Sequence, residues 1–150
     1  MAPPEAATTV TTTRFRRPTQ ETAVVNAKAG CLYRNNARML AEAQAKGFGN
    51  ALACDSQGNV AESATANVFM VKDGEVFTPI PNGTTLSRDG VRVHETVLTL
   101  EDFRTADEVF LSGNMSKVTP VTAFDDRQYQ VGPVTRLVRE LYWDWAASNR

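Results

Sequence analysis

The sequence predicts an α+β domain built mainly on an antiparallel sheet. Short segments rich in β-branched and aromatic residues alternate with Gly, Asn and Asp turn signals along most of the chain, as hairpins and meanders do. Clear helical patterning is confined to a segment ending near Gly47 and to the C-terminal stretch after Gly132. At 150 residues with 42% hydrophobic content, the chain can bury one core of its own but not two.

Residues 1–22 read as an extended or irregular lead-in, because Ala, Pro and a run of threonines give strand or coil and no helical period. The domain proper is expected from residue 23 to residue 150. Thr22 to Ala27 (TAVVNA) reads as a short strand delivering Lys28. Asn35 or Asn36 then caps a helix over ARMLAEAQAKGF, rich in helix formers and stopped at Gly47.

A meander follows. Ala51 to Asp55 and Val60 to Val71 are strands about the turn Ser56-Gln57-Gly58-Asn59, and Lys72-Asp73-Gly74 turns the chain into Glu75 to Thr78. Pro79 to Gly90 is expected as loop from its prolines and glycines. Val91, Val93, Glu95 and Val97 alternate with Arg92, His94 and Thr96, a period-two strand that leaves His94 facing solvent. Thr99 caps a short helix with Asp102 at its third position.

Glu108 to Leu111 is a strand ended by Ser112-Gly113-Asn114, and Val118 to Phe124 pairs with Gln128 to Val131 around Asp125-Asp126. Gly132-Pro133 opens the last helix. In it Val134, Leu137, Val138, Leu141, Tyr142 and Trp145 form one apolar stripe.

A net charge of -1 argues against nucleic-acid and membrane-surface partners. Arg14, Arg16 and Arg17 are clustered but read as a solvated loop. No apolar run is long enough to span a bilayer. Cys31 and Cys54 fall in neither a metal-ligand spacing nor a disulfide framework, so no metal is expected and a cytoplasmic setting is the default.

Three places carry possible chemistry. Lys28 lies among small and apolar neighbours in NAKAGCLY; lost hydration there favours the neutral amine, the form that attacks a carbonyl. Glu62 stands on a strand beside Ala61 and Ser63-Ala64-Thr65-Ala66, small residues that leave room for a ligand. The break at Ser112, Gly113, Asn114 and Ser116 offers backbone amides to an anion. Each has a bland alternative: a surface lysine, a wet-face carboxylate, an ordinary loop.

Their order and spacing are more specific. AKAGCLY, GNVAESATANVFMVKDGEVFTP, ADEVFLSGNMSKVTPV and GPVTRLVRELY, in that order, resemble successive motifs of the branched-chain amino acid aminotransferases. These are pyridoxal 5'-phosphate (PLP) enzymes of fold type IV, a group shared with D-amino-acid aminotransferases and aminodeoxychorismate lyases.

The resemblance implies a barrel-like sheet with flanking helices and makes residues 23–150 the PLP-binding large domain. It makes Lys28 the Schiff-base lysine, which also moves the substrate α-proton. Tyr33 becomes the partner of the cofactor's phenolic oxygen, and Glu62 the partner of its pyridine nitrogen. Asn114 and Met115 fall where the family contacts the cofactor phosphate and the substrate carboxylate, and Asn67 matches a supporting asparagine. Asn114 replaces a common threonine, an amide for a hydroxyl.

Two departures stand out. The family's small N-terminal domain, with its phosphate-binding arginine, has no counterpart ahead of Lys28. Between Thr78-Pro79 and Arg88, a phosphate-binding helix of about ten residues is missing, by ordinary helix lengths. The implied reaction moves an amino group from leucine, isoleucine or valine to 2-oxoglutarate, in a homodimer. The alternatives are a relative acting on D-amino acids or aminodeoxychorismate, and a non-catalytic remnant serving as a binding or oligomerisation module.

Overall fold

The structure, a computed structural model, describes residues 6–19, 21–23, 30–79, 85–88, 91–113 and 117–149, without the side chains of residues 31 and 85–88. Within them lie ten strands and three helices: β1 (Thr8–Arg16), α1 (Gly30–Ala45), β2 (Asn50–Cys54), β3 (Val60–Ser63), β4 (Asn67–Lys72), β5 (Glu75–Pro79), β6 (Thr85–Arg88), β7 (Val91–Thr96), α2 (Leu100–Arg104), β8 (Glu108–Gly113), β9 (Lys117–Phe124), β10 (Arg127–Gln128) and α3 (Pro133–Ser148).

One sheet runs in the order β3-β2-β1-β9-β8-β4-β5-β7-β6, with β10 beside β9. Its pairings are antiparallel except β1 with β2, β1 with β9, and β5 with β7. The sheet is therefore α+β and mostly antiparallel, as expected. It is also curled: β3, at one end of the order, packs against β4 and β5, and Val60 bridges to Leu98. Val10, Leu52, Val60, Val68, Leu111 and Val121 fill the interior of the curl together with Phe103 and Phe124.

The lead-in differs most from expectation. Residues 8–16 form β1, an interior strand of the sheet paired on both sides. Threonine is tolerated there because its hydroxyls find acceptors: Thr11 Oγ1 donates to Asp125 Oδ1 at 2.5 Å and Thr13 Oγ1 to Glu42 Oε2 at 2.6 Å. Those carboxylates stand 114 and 29 residues away, so nothing local reveals them.

Of the strand expected over residues 22–27, positions 24–27 lie outside the described residues. Thr22 and Ala23 sit in a turn, both amides donating to Thr19 O at 3.0 Å.

Helix α1 starts at Gly30, ahead of the expected asparagine cap. Asn35 is not a cap but a buried tertiary contact: its Nδ2 donates to Arg16 O at 3.1 Å and its Oδ1 accepts from Arg38 Nε at 2.8 Å. Met39 and Ala43 then pack on Ala51, Ala53 and Ala64, with Phe15 and Phe48 at the margin. Small residues on the sheet side bring the helix close to the sheet. Gly47, at φ +84°, ends it in the left-handed region that favours glycine.

The expected long strand from Val60 to Val71 is broken at residues 64–66. Ser63 ties the corner to itself: its amide and hydroxyl both donate to Ala66 O, at 3.0 and 2.7 Å, and its hydroxyl accepts from Ala66 N at 2.9 Å. The corner carries the chain from the sheet's β3 edge to β4, and small residues permit so sharp a turn.

The expected loop between Pro79 and Gly90 contains a strand, β6, in antiparallel register with β7 from Thr85↔His94 to Arg88↔Val91. No proline interrupts residues 85–88, and the open edge of β7 offers unpaired backbone groups to whatever can pair with them. His94 is three-quarters covered rather than solvent-facing. It stacks on Phe77 with ring centroids 4.9 Å apart and places Nε2 3.1 Å from Glu75 Oε2.

The short helix is capped as expected, Thr99 and Asp102 forming a reciprocal capping box. The hairpin's second strand shrinks to β10; beyond it the Tyr129 amide still donates to Thr122 O on β9 at 2.9 Å, and its buried hydroxyl donates to Phe103 O.

In α3 the buried face is rotated from the expected stripe. Val134, Val138 and Tyr142 pack on Phe110 and Val118, and Thr135 and Arg139 are buried, whereas Leu137 and Trp145 are 43% and 57% exposed. The rotation follows from the helix start. Glu108, buried at the head of β8, accepts the amides of Val134 at 3.1 Å and Thr135 at 2.7 Å. Arg139 Nε donates to Val118 O at 3.2 Å. Two polar anchors thus set which side of α3 faces the sheet.

Candidate active site

Glu62 sits on β3 in register with Ala53 of β2, followed by the tight Ser63–Ala66 corner. Its side chain is 29% exposed, and Oε2 lies 3.1 Å from Nη1 of Arg17. Burial pushes its carboxyl above the usual range, while the Arg17 guanidinium pulls it the other way. A desolvated carboxylate with small residues beside it is well suited to a cationic nitrogen, which restores the electrostatic stabilisation that water no longer gives.

Arg17 is itself fixed. Its amide donates to Cys54 O at 2.9 Å, so the residue after β1 is tied to the end of β2, beside the strand that carries Glu62. Of the basic cluster read as a solvated loop, Arg17 thus has a built partner and Arg14 lies 4.9 Å from the Phe15 ring centroid. The pairing spans 45 positions and leaves no local trace in the sequence.

Tyr33 lies in the first part of α1 and is 53% exposed. Asn35, two residues on, holds this part of the helix to Arg16 O, next to Arg17. Tyr33 and Glu62 are therefore linked through one short stretch of backbone.

Asn67 is exposed at the start of β4, in register with Ser112 on β8. The following Gly113 packs against the corner after Glu62, and a Cβ there would stand 3.3 Å from the Cβ of Ala66. The last described residues before the Ser112–Ser116 loop are thus brought beside the Glu62 corner. Lys28, Asn114, Met115 and Ser116 lie outside the described residues, as does Thr84. Thr85 and Ser87 are strand positions in β6.

Cys54, the neighbour of this region on β2, is a buried free thiol whose pKa burial raises. It is a packing residue by that criterion. Among the described residues no group of His, Cys, Asp and Glu has the geometry to hold a metal ion, and no helix is long and apolar enough to cross a membrane.

A family model described as amino-transferase class IV matches residues 1–124, which include β1, α1, the Glu62 corner and the Ser112–Ser116 loop. The chain belongs to the class IV aminotransferase family.

Among its relatives, a probable branched-chain-amino-acid aminotransferase of Aquifex aeolicus is 35% identical over 133 residues, 78% of this chain and 43% of the relative. The branched-chain-amino-acid aminotransferase of Escherichia coli is 34% identical over 144 residues, 86% of this chain and 47% of the relative. The fold matches an aminotransferase from Brucella abortus whose crystal structure holds PLP. That match has a TM-score of 0.88 at 57% identity and covers 98% of this chain and 57% of that one. The branched-chain aminotransferase of Thermoproteus uzoniensis, solved with norvaline, matches with a TM-score of 0.83 at 30% identity, over 91% of this chain and 50% of that one.

The chain spans somewhat under half the length of these curated relatives. Both the fold type IV architecture and the resemblance to branched-chain aminotransferases are thereby established.

Proposed function

We propose that the chain is the cofactor-binding part of a PLP-dependent aminotransferase that moves the amino group of a branched-chain L-amino acid to 2-oxoglutarate. The observation that carries this reading is the half-buried Glu62 carboxylate, beside a corner of small residues and next to the Ser112–Gly113 end of the expected anion loop. The relatives named above, an aminotransferase with bound PLP among them, support it.

In this reading Lys28 would hold the cofactor covalently through its amine and would carry the substrate α-proton. Glu62 accepts a hydrogen bond from the protonated pyridine nitrogen and keeps it protonated. Bound PLP supplies an electron-withdrawing ring that stabilises negative charge at the α-carbon. Tyr33 donates to the phenolic oxygen. Asn114 and Met115 contribute contacts to the phosphate and the substrate carboxylate, and Asn67 supports the corner between them.

Residues 23–150 form the cofactor-binding unit in this proposal, with β1 completing its sheet. The setting is the cytoplasm and the assembly a homodimer. In this reading the phosphate-binding helix expected before Arg88 is missing from the sequence, which weakens the phosphate grip, since helix N-terminal amides are strong anion ligands. Cofactor affinity is accordingly low and turnover by the isolated chain slight.

The test is to purify the chain with added PLP and record visible absorption, with Lys28→Ala as the control, then supply leucine and 2-oxoglutarate. Lysine-dependent absorption with glutamate formation is the expected result. Absorption without glutamate formation would restrict the chain to cofactor binding, and no absorption would overturn the proposal. Activity on D-amino acids instead would move the assignment to that branch of the family.

A further inference from the structure

The mechanism above does not use Arg17, yet Arg17 is built against the one carboxylate that it does use. We propose that Arg17 is a positioning residue that holds Glu62 as an oriented carboxylate facing the nitrogen of the cofactor ring. The inference rests on the reading of Glu62 given above and extends it to a residue that would act through Glu62.

The geometry comes from three segments that meet at β2. The Arg17 amide is fixed to Cys54 O at 2.9 Å, and β3 is held in register with β2 through Ala53↔Glu62. Both ends of the ion pair are therefore mounted on one strand, and Nη1 meets Oε2 at 3.1 Å. Among the described residues the contact made to this carboxylate is at Oε2, and in the proposed site Oε1 takes a second donor. A guanidinium suits the task because it stays charged at any working pH.

The need for such a residue is physical. A carboxylate withdrawn from water drifts toward its neutral acid, and a neutral acid cannot hold a proton on a pyridine nitrogen. The neighbouring residues of β2 in register with β3 are Leu52, Ala53 and Cys54, none of them ionised, Cys54 being a thiol that burial keeps protonated. Arg17 is the charge that acts against the effect of burial on Glu62. The outer side of the pair is partly open, with Arg17 34% exposed, so salt weakens but does not abolish the attraction.

The experiment uses the full chain with carbon-13-labelled glutamate, the Glu62 carboxyl signal being assigned by its loss in Glu62→Gln. Its titration is followed without cofactor in the parent, Arg17→Met, Arg17→Gln and Arg17→Lys. The two neutral variants differ in polarity, so that failure of one to fold leaves the other to decide. The expected result is an upward shift of the Glu62 titration in the neutral variants and a return toward the parent in Arg17→Lys. An unchanged titration in a folded neutral variant overturns the proposal.

A second readout uses PLP labelled with nitrogen-15 in the ring, bound to the same proteins. The protonated fraction of that nitrogen is expected to fall in the neutral variants and recover in Arg17→Lys. A fraction unmoved by loss of Arg17 also overturns the proposal. If the parent takes up no PLP, the assignment of Glu62 to the ring falls, and with it the functional half of the inference. The cofactor-free titration still decides separately whether Arg17 keeps Glu62 ionised.

Discussion

Tyr129 and Glu62 are both withdrawn from water, and what each meets inside the protein differs. Tyr129 gives its hydroxyl to a backbone carbonyl, and burial pushes its pKa up to about 12 from an ordinary 10.0. Below pH 10 the phenol is neutral in both folded and unfolded chains, and its contribution to stability is fully present. Between pH 10 and about 12 the unfolded chain releases the proton that the folded chain keeps, so stability falls as pH rises. Urea unfolding of the parent and Tyr129→Phe across this window should show a steeper loss in the parent. Tyr33 makes the contrast. It is half exposed, so Tyr33→Phe should change stability by less than about 0.5 kcal/mol in urea unfolding. The same change should alter the visible spectrum of the PLP-loaded protein, because the lost hydroxyl faces the cofactor in the proposed site.

At the scale of elements, helix ends decide more than helix interiors. The capping box at α2 is visible in the sequence because Thr99 and Asp102 are three residues apart, and Thr99→Ala should cost about 1 kcal/mol in urea unfolding. The start of α3 depends instead on Glu108, 26 residues ahead of Val134. Replacing it with Ala strands two amides at a buried helix end, and the cost should be about 2–3 kcal/mol, more than for Thr99. A loss no larger than that of Thr99→Ala would show that water replaces the Glu108 carboxylate there. Gly132 is constrained by the same contact, since a Cβ would collide with that carboxylate. Local signals therefore place α2 and the start of α3 correctly, while periodicity finds Val134, Val138 and Tyr142 of the face α3 buries but not Thr135 and Arg139, which bonds to Glu108 and Val118 bring in. Helix α1 shows the same limit: Asn35 has the chemistry of a cap and is used for a bond to Arg16 O.

For the molecule as a whole, hairpin signals reveal an antiparallel sheet but not the interior strand β1. That strand has parallel neighbours on both sides, and parallel pairing leaves no turn signal between partners. The break between Glu62 and Asn67 was equally hidden, because Ser-Ala-Thr-Ala reads as continuous strand until Ser63 closes on Ala66. The site was legible in a different way. Glu62 and Tyr33 could be named from motif order, whereas Arg17 could not, since its partner is remote in sequence and adjacent only through β2. The pairing of β2 with β3 and the Asn35–Arg16 bond bring these pieces to one region, which in the proposed reading Lys28 completes as the covalent anchor of PLP. Borohydride reduction of the PLP-treated chain, followed by proteolysis and mass spectrometry, tests this most directly. A reduced pyridoxyl group on the peptide carrying Lys28, absent in Lys28→Ala, is the predicted result; an unmodified Lys28 peptide, or label spread over surface lysines, would contradict it.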